Sequence, residues 1–223
     1  MKTLQKLTLL ALATLGAAAV HAQSAGTLMG RIGATNISPS VTSGDLSAPA
    51  FAGTKGDVGS ASQISGGVTY MMTDNIAVDL PLALPFKHNI VGAGAIGGVG
   101  KLAETKALPV TLLVQYRFGD AKADIRPYLG AGPTYARFFK TRTTAALSAL
   151  TGGTPATPTT MSIESKLVPT IQAGVSFALK DGWFIDAMVA KTFLETRSTL
   201  STGQTLDMKL NPTSFSIGVG RRF

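Results

Sequence analysis

The sequence contains no cysteine among its 223 residues. That absence excludes a disulfide framework, a thiolate metal site and a cysteine nucleophile. Charged residues are also scarce, at 14% of the chain, whereas hydrophobic residues make up 45%, which is too apolar for a disordered protein. Beyond the N-terminal segment no apolar run reaches the length of about 18 residues that a membrane-spanning helix needs. The length suits one domain, or at most two small ones.

The first 22 residues have the features of a secretory signal peptide. Lys2 and Lys6 provide a positive start, residues 7–20 form an apolar run, and a small-residue cleavage site ends at Ala22. The alternative, an N-terminal core helix, is disfavoured because the run has no polar face. We therefore predict a signal peptide over residues 1–22 and a mature domain over residues 23–223 that begins with Gln23.

The formal net charge of +8 raises the question of a nucleic-acid partner. The positive residues are scattered singly and form no stripe or basic helix, so we predict no nucleic-acid binding. Mild basicity also suits contact with an anionic glycolipid surface, such as the lipopolysaccharide of a bacterial outer membrane.

Apolar residues recur with a period of two, which is typical of β-strands, and no segment shows a helical stripe. Residues 76–84, for example, place five aliphatic side chains on one face, and Ala77, Asp79, Pro81 and Ala83 on the other. The same alternation predicts eight strands, over residues 27–37, 63–70, 76–84, 108–118, 125–139, 166–179, 183–189 and 214–223.

The connections between these segments alternate in length. Three short turns surround Asp74, Asp120 and Asp181, whereas residues 38–62, 86–103, 140–164 and 196–208 form four long loops. Short turns at one end and long loops at the other are typical of outer-membrane barrels, and an even number of strands then places both termini in the periplasm.

The composition of the two strand faces distinguishes a membrane barrel from a soluble barrel. An eight-stranded barrel has an interior that side chains nearly fill, so the Gly, Ser and Thr faces fit inside and the aliphatic faces contact lipid. A soluble, lipocalin-like barrel is the alternative, since alternation alone does not show which face is wet. Aromatic residues near strand ends suit interfacial girdles; they are Tyr70, Tyr116, Phe118, Phe139, Trp183 and Phe223. We predict an all-β fold, an eight-stranded antiparallel transmembrane β-barrel over residues 23–223.

Several motifs in order resemble the OmpW family of small outer-membrane barrels, over nearly the whole mature chain. They are residues 70–76 (YMMTDNI), 85–88 (PFKH), 100–101 (GK) with 104–106 (ETK) and 108–109 (LP), 115–118 (QYRF), 126–132 (RPYLGAG) and 211–212 (NP). The terminal Phe223 also resembles the sorting signal read by the barrel-assembly machinery. Relatives usually carry an aromatic residue two positions before the end, where this chain has Arg221.

The resemblance implies a narrow, largely apolar channel in the outer membrane of a Gram-negative bacterium. It implies passive passage of small hydrophobic molecules, with an exit sideways through the wall. Some relatives are used as colicin or phage receptors, so a non-transporting surface barrel that acts as an envelope anchor or receptor is the alternative.

The period of two also predicts which side chains point into the lumen. The charged candidates are Asp79, Arg117, Arg126 and Asp186, and the apolar candidates are Leu113, Tyr128, Phe138 and Met188. The charges either select ions or form a paired network that closes a narrow lumen. We favour the paired network, because an isolated charge in a tight interior is costly.

Prolines inside predicted strands each remove a donor from the hydrogen-bond ladder. They either mark bulges and strand ends or weaken a seam through which an apolar ligand leaves. The candidates for such a lateral exit are Pro81, Pro109 and Pro127.

His88 is the only histidine outside the leader. A catalytic base needs a partnered nucleophile, and no such motif accompanies His88. A metal site needs several ligands with a recognisable spacing, which the sequence lacks. We interpret His88 as a solvated loop residue, and predict neither enzymatic activity nor a metal or cofactor; an envelope enzyme ranks last among the possible functions.

Overall fold

The computed structural model describes residues 22–223, so the predicted signal peptide lies outside the described residues except for Ala22. The described chain consists mainly of β-strands. In chain order they are β1 (Leu28–Ser38), β2 (Thr42–Ser43), β3 (Thr54–Val58), β4 (Ala61–Met71), β5 (Ile76–Ala83), β6 (Phe86–Gly94), β7 (Lys101–Thr111), β8 (Leu113–Arg117), β9 (Ile125–Thr143), β10 (Met161–Ile163), β11 (Lys166–Ala178), β12 (Trp183–Thr192), β13 (Glu195–Leu200), β14 (Thr205–Lys209) and β15 (Thr213–Arg222). A helix, α1, spans Ala145–Thr151, and a 3-10 turn spans Lys180–Gly182.

Eight strands close into a ring, and every neighbouring pair is antiparallel. Their order around the ring is β1, β4, β5, β8, β9, β11, β12 and β15, and β15 pairs with β1 from Met29↔Arg222 to Ser38↔Thr213. Closure gives each strand of the ring two paired neighbours, which limits unpaired backbone groups as a chain surrounded by lipid requires. The predicted eight-stranded antiparallel barrel is therefore confirmed. We call the end with both termini and the short connections the turn end, and the opposite end the loop end.

Large apolar side chains point outward from all eight strands of the ring. At least 38% of each is exposed; one from each strand in ring order is Ile32, Ile64, Leu82, Val114, Leu129, Ile171, Ile185 and Ile217. This inside-out arrangement is that of a barrel embedded in hydrocarbon. Exposed aromatic rings border this apolar belt at the turn end; they are Tyr70, Tyr116, Phe118, Trp183 and Phe223.

Beyond the belt the barrel continues as two walls towards the loop end. The first wall contains β3, β6, β7 and the end of β9, and the second wall contains β2, β10, β13 and β14. Two of the predicted long loops are therefore wrong in large part. Residues 86–103 form β6 and the start of β7, and residues 196–208 form most of β13 and β14. The outward residues here, such as Lys87 and Asn89, are polar, so the pattern of a lipid-facing strand is lost although the strands continue.

Apolar side chains fill the space between the walls. The buried members of this core are Val58, Ile90, Ala103, Ala136, Leu194, Leu206, Met208 and Leu210. Helix α1 packs Leu147 against Leu102 and Leu200 at the loop end. Its N-cap is Thr144, whose hydroxyl oxygen accepts a hydrogen bond from the Leu147 amide at 3.4 Å. Within residues 22–223, no helix has both the length and the hydropathy needed to cross a membrane.

Candidate functional site

A buried ion pair forms the centre of the lumen near the turn end. Arg31 Nη1 and Nη2 donate to the two carboxylate oxygens of Asp79 at 2.7 and 2.9 Å. Asp186 lies 3.9 Å from Arg31 Nε and accepts hydrogen bonds from Tyr128 at 2.9 Å and Ser176 at 2.8 Å. Each carboxylate is thus balanced by a cation or by hydroxyl donors, as burial of a charge requires.

Two further guanidinium groups fill the lumen beside this pair. Arg117 donates to Gln23 Oε1 at 2.8 Å and to Gln115 Oε1 at 2.9 Å, and its Cζ lies 4.5 Å from the ring centroid of Tyr128, which is cation–π geometry. Arg126 donates to the backbone carbonyls of Gln23 at 2.8 Å and Asp74 at 2.6 Å. Both arginines are at most 1% exposed.

We call these groups the plug; its members are Gln23, Arg31, Asp79, Gln115, Arg117, Arg126, Tyr128, Ser176 and Asp186. All four charged residues that the alternation assigns to the lumen lie in it. The sequence interpretation missed Arg31 as a member of this network, although Arg31 shares a strand face with Thr35 and so could have been assigned inward.

Tyr128 was expected to be an apolar lumen residue, and the structure corrects that expectation. Its ring is buried in the lumen, but its hydroxyl group donates to Asp186 and so belongs to the plug. Gly174 is the cross-strand partner of Tyr128, and a Cβ atom at Gly174 would overlap the phenol ring. A glycine at this position therefore makes room for the ring.

Above the plug lies a cavity of about 140 Å³, which we call the chamber. Its lining includes Leu113, Phe138 and Met188, three of the expected apolar lumen residues. The rest of the lining is mainly apolar or carries hydroxyl groups, and within residues 22–223 it contains no Lys, Arg, Asp or Glu. A charged ligand would find no ionic partner in the lining, whereas an apolar molecule of suitable size fits it.

Hydroxyl groups form two hydrogen-bonded arcs around the bottom of the chamber. In the longer arc, Thr111, Thr134, Thr170 and Thr192 are linked by Oγ1–Oγ1 distances of 2.9, 2.6 and 2.9 Å. In the shorter arc, Thr35 Oγ1 lies 2.7 Å from Ser65 Oγ and 2.6 Å from Ser216 Oγ. Thr111 is the last residue of β7, which leads directly into β8 of the ring. With β7 and β8 counted as one strand, the seven residues lie on seven of the eight strands of the ring.

His88 also lines the chamber, close to the loop end. It is 5% exposed, and its Nδ1 lies 2.8 Å from the carbonyl oxygen of Gly59. The interpretation as a solvated loop residue is therefore wrong, because β6 continues through this position and turns the ring inward. The described residues contain no cluster of three or more His, Asp or Glu that could hold a metal ion.

The wall of the chamber is interrupted between β5 and β7. The β5–β8 ladder consists of four residue pairs and ends at Asp79↔Leu113, and pairing resumes between β6 and β7 at Phe86↔Ala107. Between these points, residues 80–85 and 108–112 are not paired with each other among the described residues, although each segment keeps its ladder to its other neighbour, β4 or β9. We call this interruption the ladder gap.

The ladder gap lies between the chamber and the apolar belt. Leu82 is 50% exposed on the belt and also lines the chamber. Pro81 and Pro109, one on each side of the gap, line the chamber as well. Pro127 lies elsewhere, paired with Val175 in the uninterrupted β9–β11 ladder, so it does not border the gap and its assignment to a lateral exit has no structural support.

The C-terminal residue completes the ring. Phe223 exchanges backbone hydrogen bonds with Leu28, at 2.7 Å from the Phe223 amide and 3.2 Å from the Leu28 amide, and its ring is 66% exposed. Arg221 places its Cζ 5.9 Å from the ring centroid of Trp183, so the cation lies against an interfacial aromatic residue.

The two walls beyond the belt differ in charge on their outer faces. In the second wall and at the adjoining start of β11, each cation has a carboxylate partner within 3 Å; the pairs are Lys166–Glu164, Arg197–Asp207 and Lys209–Glu195. The hydrogen bond from Arg197 holds the pKa of Asp207 below its ordinary value. In the first wall, Lys87 lies directly opposite Lys106.

Further cations surround this pair of lysines on β9; they are Arg137, Lys140 and Arg142. Glu104 lies near these cations and pairs with two lysines. Its carboxylate oxygens lie 3.1 Å from Lys87 Nζ and 2.8 Å from Lys101 Nζ. Hydrogen bonds from Lys101 and Lys87 hold the pKa of Glu104 below its ordinary value. The first wall therefore carries a net positive surface beside the apolar belt, which we call the basic patch (Lys87, Lys106, Arg137, Lys140 and Arg142).

Comparisons with known proteins agree with this architecture. A family model described as the OmpW family matches residues 24–223. Outer membrane protein W of Vibrio cholerae is 33% identical over 95% of each chain. The crystal structure of the outer membrane protein OprG from Pseudomonas aeruginosa matches with a TM-score of 0.81 and 28% identity, over 91% of this chain and 98% of that one. The dibenzothiophene metabolism operon protein PahQ of Pseudomonas aeruginosa is 24% identical over 86% of this chain and 87% of its own length.

Proposed function

This chain belongs to the OmpW family of outer-membrane β-barrel proteins of Gram-negative bacteria, and from that premise we propose that it lets small hydrophobic molecules cross the outer membrane passively. In this proposal the turn end and both termini face the periplasm, because short turns face that side in such barrels. A molecule enters near the loop end, occupies the chamber and leaves through the ladder gap into the membrane.

The observation that carries the proposal is the position of the ladder gap. It lies between an apolar chamber and the apolar belt, with Leu82 on both surfaces. A straight route through the turn end meets the buried charges and hydrogen bonds of the plug, where an apolar molecule would displace paired polar groups at a cost of several kcal/mol. The lateral route has no such cost. PahQ, named for an operon that metabolises an apolar aromatic compound, supports the same class of permeant.

A non-transporting surface barrel is the second candidate, and one observation favours it. The cluster of Leu102, Leu147 and Leu200 covers the loop end of the chamber, and these side chains are at most 5% exposed. Walls that extend beyond the belt under such a cover would also serve as an anchor or as a receptor for a colicin or phage. An enzymatic role ranks last, and retained uptake in a His88→Ala variant would count against it.

Uptake by whole cells separates these candidates. A strain that lacks the protein is complemented with the wild type or with a variant, and the uptake of an alkane, a terpenoid and a polar control is compared. The variant Pro81→Ala/Pro109→Ala restores two backbone donors at the gap. We expect it to slow the uptake of the apolar probes several-fold, with little change for the polar control.

Pro127→Ala is the matched control, since it restores a donor in a ladder that is already continuous. It should leave uptake unchanged. All variants are compared at equal amounts of assembled barrel. Uptake that is equal in deleted and complemented cells would overturn the transport proposal and favour the surface barrel. Protein-dependent uptake that the Pro81→Ala/Pro109→Ala variant leaves unchanged would reject the exit through the gap.

We further propose that the basic patch contacts lipopolysaccharide. Like charges directly opposite on neighbouring strands, such as Lys87 and Lys106, destabilise a sheet. Glu104 balances Lys87 within the protein, so a phosphate would act on Lys106 and on the cations of β9. The patch lies next to the outer boundary of the belt in the proposed orientation, where the phosphates of the lipid headgroups lie. The second wall, with its matched ion pairs, offers no comparable attraction.

The second proposed partner is the barrel-assembly machinery, which would recognise the C-terminal strand. Phe223 has an exposed ring at the turn end, so it is available to a receptor before the barrel closes. Deletion of Phe223 should lower the amount of assembled protein in the membrane, as measured by heat-modifiable migration in gels. An unchanged amount would argue against this role.

A further inference from the structure

The hydroxyl arcs lie where a passing molecule would meet them. All seven residues line the chamber. Between the longer arc and the plug lie Leu113, Gln172 and Met188, and apolar side chains such as Phe86 and Ala136 lie on the side of the loop end. The strand that contributes no hydroxyl group is β5, whose Pro81 borders the ladder gap. The arcs therefore surround the bottom of the chamber and are open on the side of the gap.

The longer arc has hydrogen-bonding capacity left over. A threonine hydroxyl group carries one donor hydrogen and two acceptor lone pairs. The three bonds among the four threonines use three of the four hydrogens, which leaves one donor and several lone pairs. These groups can bind one additional hydroxyl or carbonyl group without breaking the arc.

We propose that the arcs bind the polar end of the permeant, and that the preferred permeant is an uncharged molecule with one hydroxyl or carbonyl group and an apolar tail. This inference rests on the proposed transport function and names its substrate class. The polar end hydrogen-bonds to the longer arc, and the tail lies along the apolar chamber wall. A charged end is disfavoured because the lining, over the described part of the chain, contains no Lys, Arg, Asp or Glu to pair with it.

The test compares two probes that differ in one hydroxyl group, octan-1-ol and octane. The protein-dependent uptake of each is the rate in complemented cells minus the rate in deleted cells, and the readout is the ratio of the two. We expect the wild type to favour octan-1-ol. The variant Thr134→Val/Thr170→Val keeps the shape of the side chains and removes the two central hydroxyl groups. It should lower the ratio by about fivefold, the loss expected for one neutral hydrogen bond.

Thr105→Val is the matched control, because Thr105 lines the same chamber but its hydroxyl group pairs with Thr141 outside the arcs. It should leave the ratio unchanged. Equal ratios in the wild type and the double variant, with both probes still entering in a protein-dependent manner, would overturn the inference and leave the transport function standing. If neither probe needs the protein, the transport function fails and the inference fails with it.

Discussion

Arg31 and Asp79 face each other across the lumen in a two-point ion pair, with nitrogen–oxygen distances of 2.7 and 2.9 Å. Neither side chain is more than 6% exposed. Arg31 also approaches Asp186, so one guanidinium group lies between two carboxylates. This geometry makes the plug a single connected network, in which the loss of one member leaves a buried charge without its partner.

Asp79→Ala should therefore destabilise the barrel by about 3–5 kcal/mol, the usual cost of breaking a buried ion pair from one side. Urea unfolding of the refolded protein in detergent micelles measures the free energy of unfolding. The control is Asp207→Ala, which breaks a pair of similar geometry with Arg197 on the exposed surface and should have no measurable effect. Equal effects of the two variants would show that burial does not determine the strength of the pair.

Gly174→Ala should destabilise the barrel by about 1–3 kcal/mol, the range for an overpacked interior. The added methyl group would overlap the ring of Tyr128 and move its hydroxyl group away from Asp186. Thermal unfolding in detergent measures the loss. Gly98→Ala is the control, because no atom lies within 4 Å of the position of its Cβ atom. If Gly174→Ala has the melting temperature of the wild type, the ring of Tyr128 can adopt another conformation that avoids the added methyl group at no cost in stability.

The barrel itself could be predicted from the sequence because one rule, alternation with an apolar outer face, operates along every strand inside the belt. The same rule placed Asp79, Arg117, Arg126 and Asp186 in the lumen. It fails beyond the belt, where outward residues such as Lys87 are charged and a strand no longer differs in pattern from a loop. His88 was misplaced for that reason.

Other features depend on relationships between strands, which a single sequence does not reveal. The β5–β8 and β6–β7 pairings on the two sides of the ladder gap differ in register by one residue. Proline positions alone suggested Pro127 as readily as Pro81. Each threonine of the longer arc could be assigned to the lumen from the sequence. Predicting the arc also requires the relative heights of Thr111, Thr134 and Thr170 in the barrel, which depend on how the strands pair.

Lys106→Gln/Arg137→Gln should weaken the binding of lipopolysaccharide roughly tenfold, since each lost contact to a phosphate is a charge-assisted hydrogen bond. Binding is measured with the purified barrel and vesicles that contain lipopolysaccharide, against vesicles of neutral phospholipid. Lys166→Gln/Lys209→Gln removes two cations from the second wall and the adjoining start of β11, where each already has a carboxylate partner, and should change binding little. If both double variants lose binding to the same extent, binding depends on the net charge of the protein and not on the basic patch.

Access to the chamber from the membrane is testable with single cysteines, because the chain has none of its own. Ala107 lines the chamber beside the ladder gap, and Val114 faces outward from the belt, 58% exposed. Cysteine at either position should react with an uncharged, lipid-soluble maleimide in intact proteoliposomes. A charged thiol reagent in the water should react more slowly with Ala107→Cys, because the buried polar network of the plug and the apolar side chains at the loop end disfavour a charged molecule. In the Pro81→Ala/Pro109→Ala background, the reaction of Ala107→Cys should slow several-fold and that of Val114→Cys should not. A reaction of Ala107→Cys with the lipid-soluble reagent that the Pro81→Ala/Pro109→Ala background leaves unchanged would mean that the reagent reaches the chamber by another way, and the route through the wall would lose its physical basis.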